Sequence, residues 1–207
     1  MTQTVTPRLG RPAAATKEQA FALARARYLE GRRVDVQEIA RELGLARTTM
    51  QRWFGPRDDL LATVLATLAE ERMLAHRQAT EGEGATVLVE ALYRYNRELI
   101  ASVGLRALLA REQERALRLL TSSDGLVQPR LIATMERLID AEIEAGAFSS
   151  SVASSTLAYA IVRLGEAFIY NDAAVGIRGE IDRLRDVHAA LLGAAHALAG
   201  QAEQQRG

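Results

Sequence analysis

The chain has 207 residues, a formal net charge of zero, 48% hydrophobic and 25% charged residues, and no cysteine. That length and balance allow one large domain or two small ones, and the missing thiols exclude a disulfide framework and thiolate metal sites, as expected in a reducing cytoplasm. No apolar run reaches the ~18–20 residues needed to cross a bilayer and no signal-peptide core opens the chain, so no membrane partner is expected.

The charge is unevenly placed. Residues 1–57 carry eleven bases against five acids, and the remainder cancels that surplus. A basic quarter on an acidic body suggests a nucleic-acid module joined to a domain with another task. The competing explanation is composition, since 25 of the 26 bases are arginine. His76, His188 and His196 are scattered, and no HExxH, P-loop, GxGxxG or GxSxG pattern occurs. No metal, no cofactor and no enzymatic activity are therefore expected.

Apolar residues recur at helical spacing and alternating strand patterns are absent, which predicts an all-α protein. Residues 1–15 read as a flexible basic arm, broken by Pro7, Gly10 and Pro12. Thr16 and Gln19 have the spacing of a capping box, so a helix starts there, buries Phe21, Ala24 and Tyr28, and ends at Gly31. A short helix from Val36 to Leu43 buries Ile39, Ala40 and Leu43, and Gly44 closes it. Another spans Arg47 to Phe54 around Met50 and Phe54. Two short helices across a glycine turn make a helix-turn-helix. Asp58 is positioned to cap a longer helix to about residue 78, and Glu81-Gly-Glu-Gly84 breaks the chain. The expected division is a DNA-binding domain with its connecting helix at 16–80, a helical effector-binding and dimerisation domain at 84–200, and a disordered tail at 201–207. Within the second domain, helices are expected at about 85–103, 105–121, 127–145, 153–173 and 180–199.

The helix 47–54 is polar and basic except for Met50, Phe54 and the only tryptophan. Placed in the major groove of double-stranded DNA, it leaves Arg47, Thr48, Thr49, Gln51 and Arg52 facing outward. Arginine bonds bidentately to guanine, glutamine to adenine, and a threonine methyl rests on a thymine methyl. Arg57, just past the helix, is a candidate phosphate contact, and Gln37 in the preceding helix joins the DNA-facing set. A solvated polar face is the alternative to be tested.

The residues Ile39-Ala40-Arg41-Glu42-Leu43-Gly44-Leu45, with Thr49-Met50, Phe54-Gly55, Arg57 and Asp59-Leu60-Leu61, resemble the TetR family of bacterial transcriptional regulators. The resemblance is specific over 17–65, and the rest shares the length and the helical pattern. It implies a three-helix DNA-binding domain, a divergent effector-binding domain, and a homodimer on palindromic operators. The chain departs from the family in placing Gln51 where a phosphate-binding tyrosine is usual. Trp53 likewise stands where histidine or tyrosine is usual; an amide and an indole N–H can still contact DNA. The arm around Arg11 is similar to the family's basic extension, which reaches the minor groove, where arginine favours narrow A·T tracts; a tail carrying only non-specific charge is an equal alternative.

In the body, Leu157, Ile161, Leu164 and Phe168 form one apolar stripe and Leu184 and Leu191 belong to a second. Both are expected at a dimer interface, with intramolecular core as the alternative. Tyr159, Arg163, Glu166 and Tyr170 recur at spacings that share one helix face. With Tyr93 and Asn96 they are the candidate effector contacts, although an Arg163–Glu166 ion pair and core tyrosines explain the same pattern. Leu164-Gly-Glu-Ala-Phe-Ile-Tyr-Asn-Asp172 resembles the QsdR-type subgroup, which implies a lactone or acyl-chain effector. The reading is a ligand-released repressor. A helical enzyme using Glu166, or a DNA-binding adaptor with a filled core and no effector, are the alternatives.

Overall fold

The computed structural model describes residues 15–171 and 181–194, without the side chains of Arg57 and Asn171. Arg11 and the arm, the end of the last expected helix, the tail 201–207 and the Arg57 side chain lie outside the described residues. All regular structure among the described residues is helical: α1 (Lys17–Leu29), α2 (Val36–Glu42), α3 (Arg47–Phe54), α4 (Arg57–Gln78), α5 (Gly84–Ala101), α6 (Val103–Thr121), α7 (Val127–Glu144), α8 (Ser154–Glu166), a π-helical turn (Ala167–Asn171) and α9 (Ile181–Leu191).

The capping box forms as its spacing predicts, with Gln19 N–H donating to the Thr16 hydroxyl and Thr16 N–H to the Gln19 side chain. Asp35 caps α2 by accepting from the Gln37 and Glu38 amides. Gly44 takes φ +64 in the turn to α3, a left-handed conformation that costs glycine nothing. Asp58 does not cap α4. Pro56 holds that position, and Asp58 sits in the first turn, where its charge suits the positive end of the helix dipole and reaches Arg115 of α6 at 2.6 Å.

Arg27 is buried at 4% exposure, and its guanidinium donates to Glu38 at 2.9 Å and Glu42 at 2.6 Å. A buried guanidinium must be paired, so this fork fixes α2 on α1. Ile39, Met50, Leu60 and Val64 close the core beneath it.

The loop at 81–84 does not divide the apolar core. One cluster runs from Ala24 and Tyr28 through Leu61 and Leu65 to Leu105, Leu120 and Tyr170; a second joins Met73, Leu88, Met135, Ile139, Leu157 and Ile161. α4 packs on α5 and α7, α7 on α8, and α9 on α5 and α8. The loop is fastened by Glu142, buried on α7, which accepts from the Gly84 amide at 2.6 Å and from Arg77 Nε at 2.9 Å. His188 of α9 faces the Ile161 carbonyl at 3.3 Å. A carbonyl only accepts, so Nε2 carries a proton, and burial holds the ring neutral by pushing its pKa down to about 4.

α1 and α6 meet backbone to backbone. A Cβ on Gly104 would lie 2.4 Å from the Tyr28 carbonyl oxygen, so only glycine allows this approach. Arg111 of α6 donates to the Gly31 carbonyl at 2.6 Å, and Glu112, where α6 kinks, pairs with Arg33 and Arg115.

Gly104→Ala should therefore lower stability by about 1–3 kcal/mol, as overpacking against backbone does. Gly165→Ala, whose Cβ meets nothing within 4 Å, should raise it by roughly 0.5–1 kcal/mol. Thermal melting of the two variants reads both signs, and a Gly104→Ala melt at or above wild type would contradict the close contact.

Candidate nucleic-acid interface and effector cavity

α3 has no side-chain cap and starts directly from Ala46. Met50 is fully buried beneath it, whereas Arg47, Thr48, Gln51 and Arg52 are exposed and Thr49 is half-buried. Trp53 is half-buried against the domain's core and meets Phe54 edge-on, with ring centroids 6.3 Å apart. Its ring is thus partly structural. Gln37 is exposed at the start of α2.

Charge pairing separates this surface from its surroundings. Arg25, Arg27, Arg32 and Arg33 each have a carboxylate partner: Glu71, Glu38 with Glu42, Glu30 and Glu112. Arg47 and Arg52 have none among the described residues, and neither does the exposed Arg41. An uncompensated cationic patch on a polar helix is the electrostatic footprint of a phosphate-bearing partner. Arg41 escaped the sequence reading because nothing local distinguishes it from the paired arginines nearby.

The candidate effector residues do not converge as their spacing suggested. Asn96, Glu166 and Tyr170 line two adjoining cavities of about 80 and 30 Å³ in the body. Tyr159 is 54% exposed and Arg163 also faces outward. Tyr93 lies at the α5–α9 surface, donating to Asp182 at 2.8 Å with Arg185 stacked 4.9 Å over its ring. Two causes explain the split. The face rotates from solvent to interior along α8, and the π turn after Glu166 counts more residues per turn, which changes the register at Tyr170.

The larger cavity is mostly apolar, walled by Leu65, Leu68, Leu99, Leu105, Leu120 and Leu131, and it also touches Tyr28 and Leu29 of α1. Tyr28, Tyr95, Arg72, Glu98 and Ser102 complete its polar lining and were not foreseen, because they come from separate helices. Burial pushes Tyr28 up to about 12, and it raises Tyr95 and, further, Tyr170, whose ionisation neighbouring Tyr95, Tyr28 and Glu166 also oppose. Glu166 accepts from Gln128 at 2.8 Å and from Arg163 at 2.7 Å, while desolvation moves its pKa upward. Both Glu166 oxygens are thus engaged, one side chain being held between an amide and a guanidinium. The adaptor alternative expected a filled core, and these two cavities interrupt it.

Leu157, Ile161 and Leu184 are at most 3% exposed inside the subunit, so these three belong to its own core and not to a dimer face. Leu164 and Phe168 are half-buried, and the apolar side chains that α8 and α9 turn outward are Tyr159 and Leu191. The stripes identify a helix's apolar side without saying which neighbour covers it.

The tetracyclin repressor-like, C-terminal domain family matches residues 83–193. No curated protein matches the chain. Among solved structures, the chain is similar to QsdR, a TetR-family transcriptional repressor of R. erythropolis, with 28% identity and a TM-score of 0.79 over 86% of this chain and 94% of that one. It also shares the fold of AlkX, a TetR-family repressor from Dietzia sp. strain DQ12-45-1b implicated in biodegradation of n-alkanes. That likeness has 20% identity and a TM-score of 0.64, over 88% of this chain and 96% of that one. Among the described residues no helix is long and apolar enough to cross a membrane.

Arg47→Ala and Arg52→Ala should each weaken specific DNA binding by roughly 1–3 kcal/mol, the worth of a base contact. Binding isotherms on a footprinted operator fragment measure this, and two unchanged isotherms would remove α3 from the groove.

Proposed function

The chain belongs to the TetR family of transcriptional regulators, and from that premise we propose that it is a repressor whose homodimer holds a palindromic operator until a small molecule enters the body. α3 reads the operator through Arg47, Thr48, Thr49, Gln51 and Arg52, and Gln37, Trp53, Arg57 and Arg11 complete the proposed DNA contacts. The unpaired arginines support this assignment. Such a regulator works beside the DNA, in the bacterial cytoplasm.

The observation that carries the release mechanism is a shared wall. Tyr28 and Leu29, at the end of the helix that carries the fork to α2, line the same cavity as Glu166 and Tyr170. A ligand that widens this cavity pushes on α1 and α4 together, and both position α3. Reading heads must match half-sites ~34–36 Å apart, so a small shift is costly. The effector is apolar with a small polar head. A lactone or acyl-chain molecule fits that description, supported by the Leu164–Asp172 segment and the likeness to QsdR.

The dimer forms through the outer faces of α8 and α9, where Tyr159 and Leu191 are 54% and 37% exposed. Light scattering at micromolar concentration should give a dimer, and Leu191→Glu should give a folded monomer by the same measurement with unchanged circular dichroism. A monomeric wild type would refute the assembly.

Effector and operator should oppose each other by one factor, because coupling between two binding sites is reciprocal. The test titrates effector with and without operator, then operator with and without effector. Equal effector affinities in the first pair would mean that the body does not sense that ligand.

A further inference from the structure

The charges around the cavities are matched, and three of the neutral polar groups there are not. Glu166 is paired with Arg163 at 2.7 Å, and Glu98 with Arg72 at 3.3 Å and His76 at 2.6 Å. Neither a buried anion nor a buried cation would find a free counter-charge there, and an unpaired buried ion is strongly disfavoured. By contrast, the Tyr95 and Tyr170 hydroxyls and the Asn96 amide belong to residues only 5%, 9% and 4% exposed, yet they make no hydrogen bond among the described residues. All three residues line the smaller cavity, and a site built to hydrogen-bond a ligand is where polar groups without a protein partner are kept.

We propose that Tyr95, Tyr170 and Asn96 form the recognition site for the effector's head, and that they select an uncharged group that both accepts and donates hydrogen bonds. This rests on the ligand-released reading above and specifies its ligand. The tyrosine hydroxyls and the amide N–H₂ donate to an acceptor such as a carbonyl oxygen. The Asn96 carbonyl and the hydroxyl lone pairs accept from a donor such as N–H. The apolar tail lies along the leucines towards Tyr28 and Leu29. The arginines and glutamates keep one another's charge satisfied and contribute no affinity for ions.

The probes are octanamide, octanoate and octylammonium, which share a chain and differ in head charge, titrated calorimetrically into the full-length protein near neutral pH. Octanamide should bind at least tenfold more tightly than either ion. Tyr95→Phe with Tyr170→Phe should weaken octanamide by about tenfold or more, the worth of two modest hydrogen bonds. Without ligand, the melting temperature should hold or rise, because no protein hydrogen bond is lost. That separates recognition from a structural role, for which the melt would fall. Octanoate or octylammonium binding as well as octanamide would overturn the assignment, and so would an unchanged octanamide affinity in the double variant. Failure of all three probes to bind overturns it too, while operator binding by the same preparation leaves the regulator reading standing.

Discussion

The α1–α6 contact is set by Gly104, whose missing side chain lets the helix start rest on the Tyr28 carbonyl. Backbone pressed on backbone cannot slide the way leucine can yield to leucine. Arg111 anchors the same junction by donating to the Gly31 carbonyl, and Asp58 with Arg115 extends it to the start of α4. The Arg27 fork fixes α2, and α2 carries α3 across the Gly44 turn, so a few stiff contacts join α6 to α3. Packed interfaces of this kind change between discrete arrangements and do not deform smoothly, which is what a switch requires.

Electrostatics divides the molecule by task. Arginines that build the structure are matched with carboxylates, often by a helix neighbour or across a short gap. Those on α3 are left open to solvent, so their charge remains available to another molecule. The cavities of the body are the reverse: Glu98 and Glu166 lie paired beside a mainly apolar space, and the Tyr95, Asn96 and Tyr170 side chains that line it without a partner are neutral. The same arginine-rich composition thus supplies both open cations on α3 and ion pairs beside an apolar interior.

Much of the first third was legible because its signals are local. The Thr16–Gln19 box, the glycine turn and the apolar positions of α2 and α3 each span a few residues, and backbone hydrogen bonding enforces them. Asp58 was misread because Pro56 already occupies the capping position, leaving the acid to a distant arginine. The effector face failed for a different reason. Tyr159 and Tyr170 sit at spacings that agree on a regular α-helix, but periodicity carries no information about a change of register or about which element covers a face. Tyr28 and Tyr95 could not be joined to Glu166 from sequence at all, since the cavity exists only where six helices meet. Leu157, Ile161 and Leu184 carried an apolar signal that core and interface share.

The π turn at Ala167–Asn171 has a bearing on how this protein can change over generations. Such a turn accommodates roughly one residue beyond what the regular helix would hold. Loss of a single codon within it would restore ordinary winding, and the side chains of the turn itself would take new directions around the axis. Tyr170 would leave its present place in the lining, while the helices before it kept theirs. Substitutions alter the lining one side chain at a time, but a three-nucleotide insertion or deletion here rewrites several positions at once. The protein therefore carries a site at which the lining of its cavity can change abruptly, in one mutational event, with the helix-turn-helix untouched.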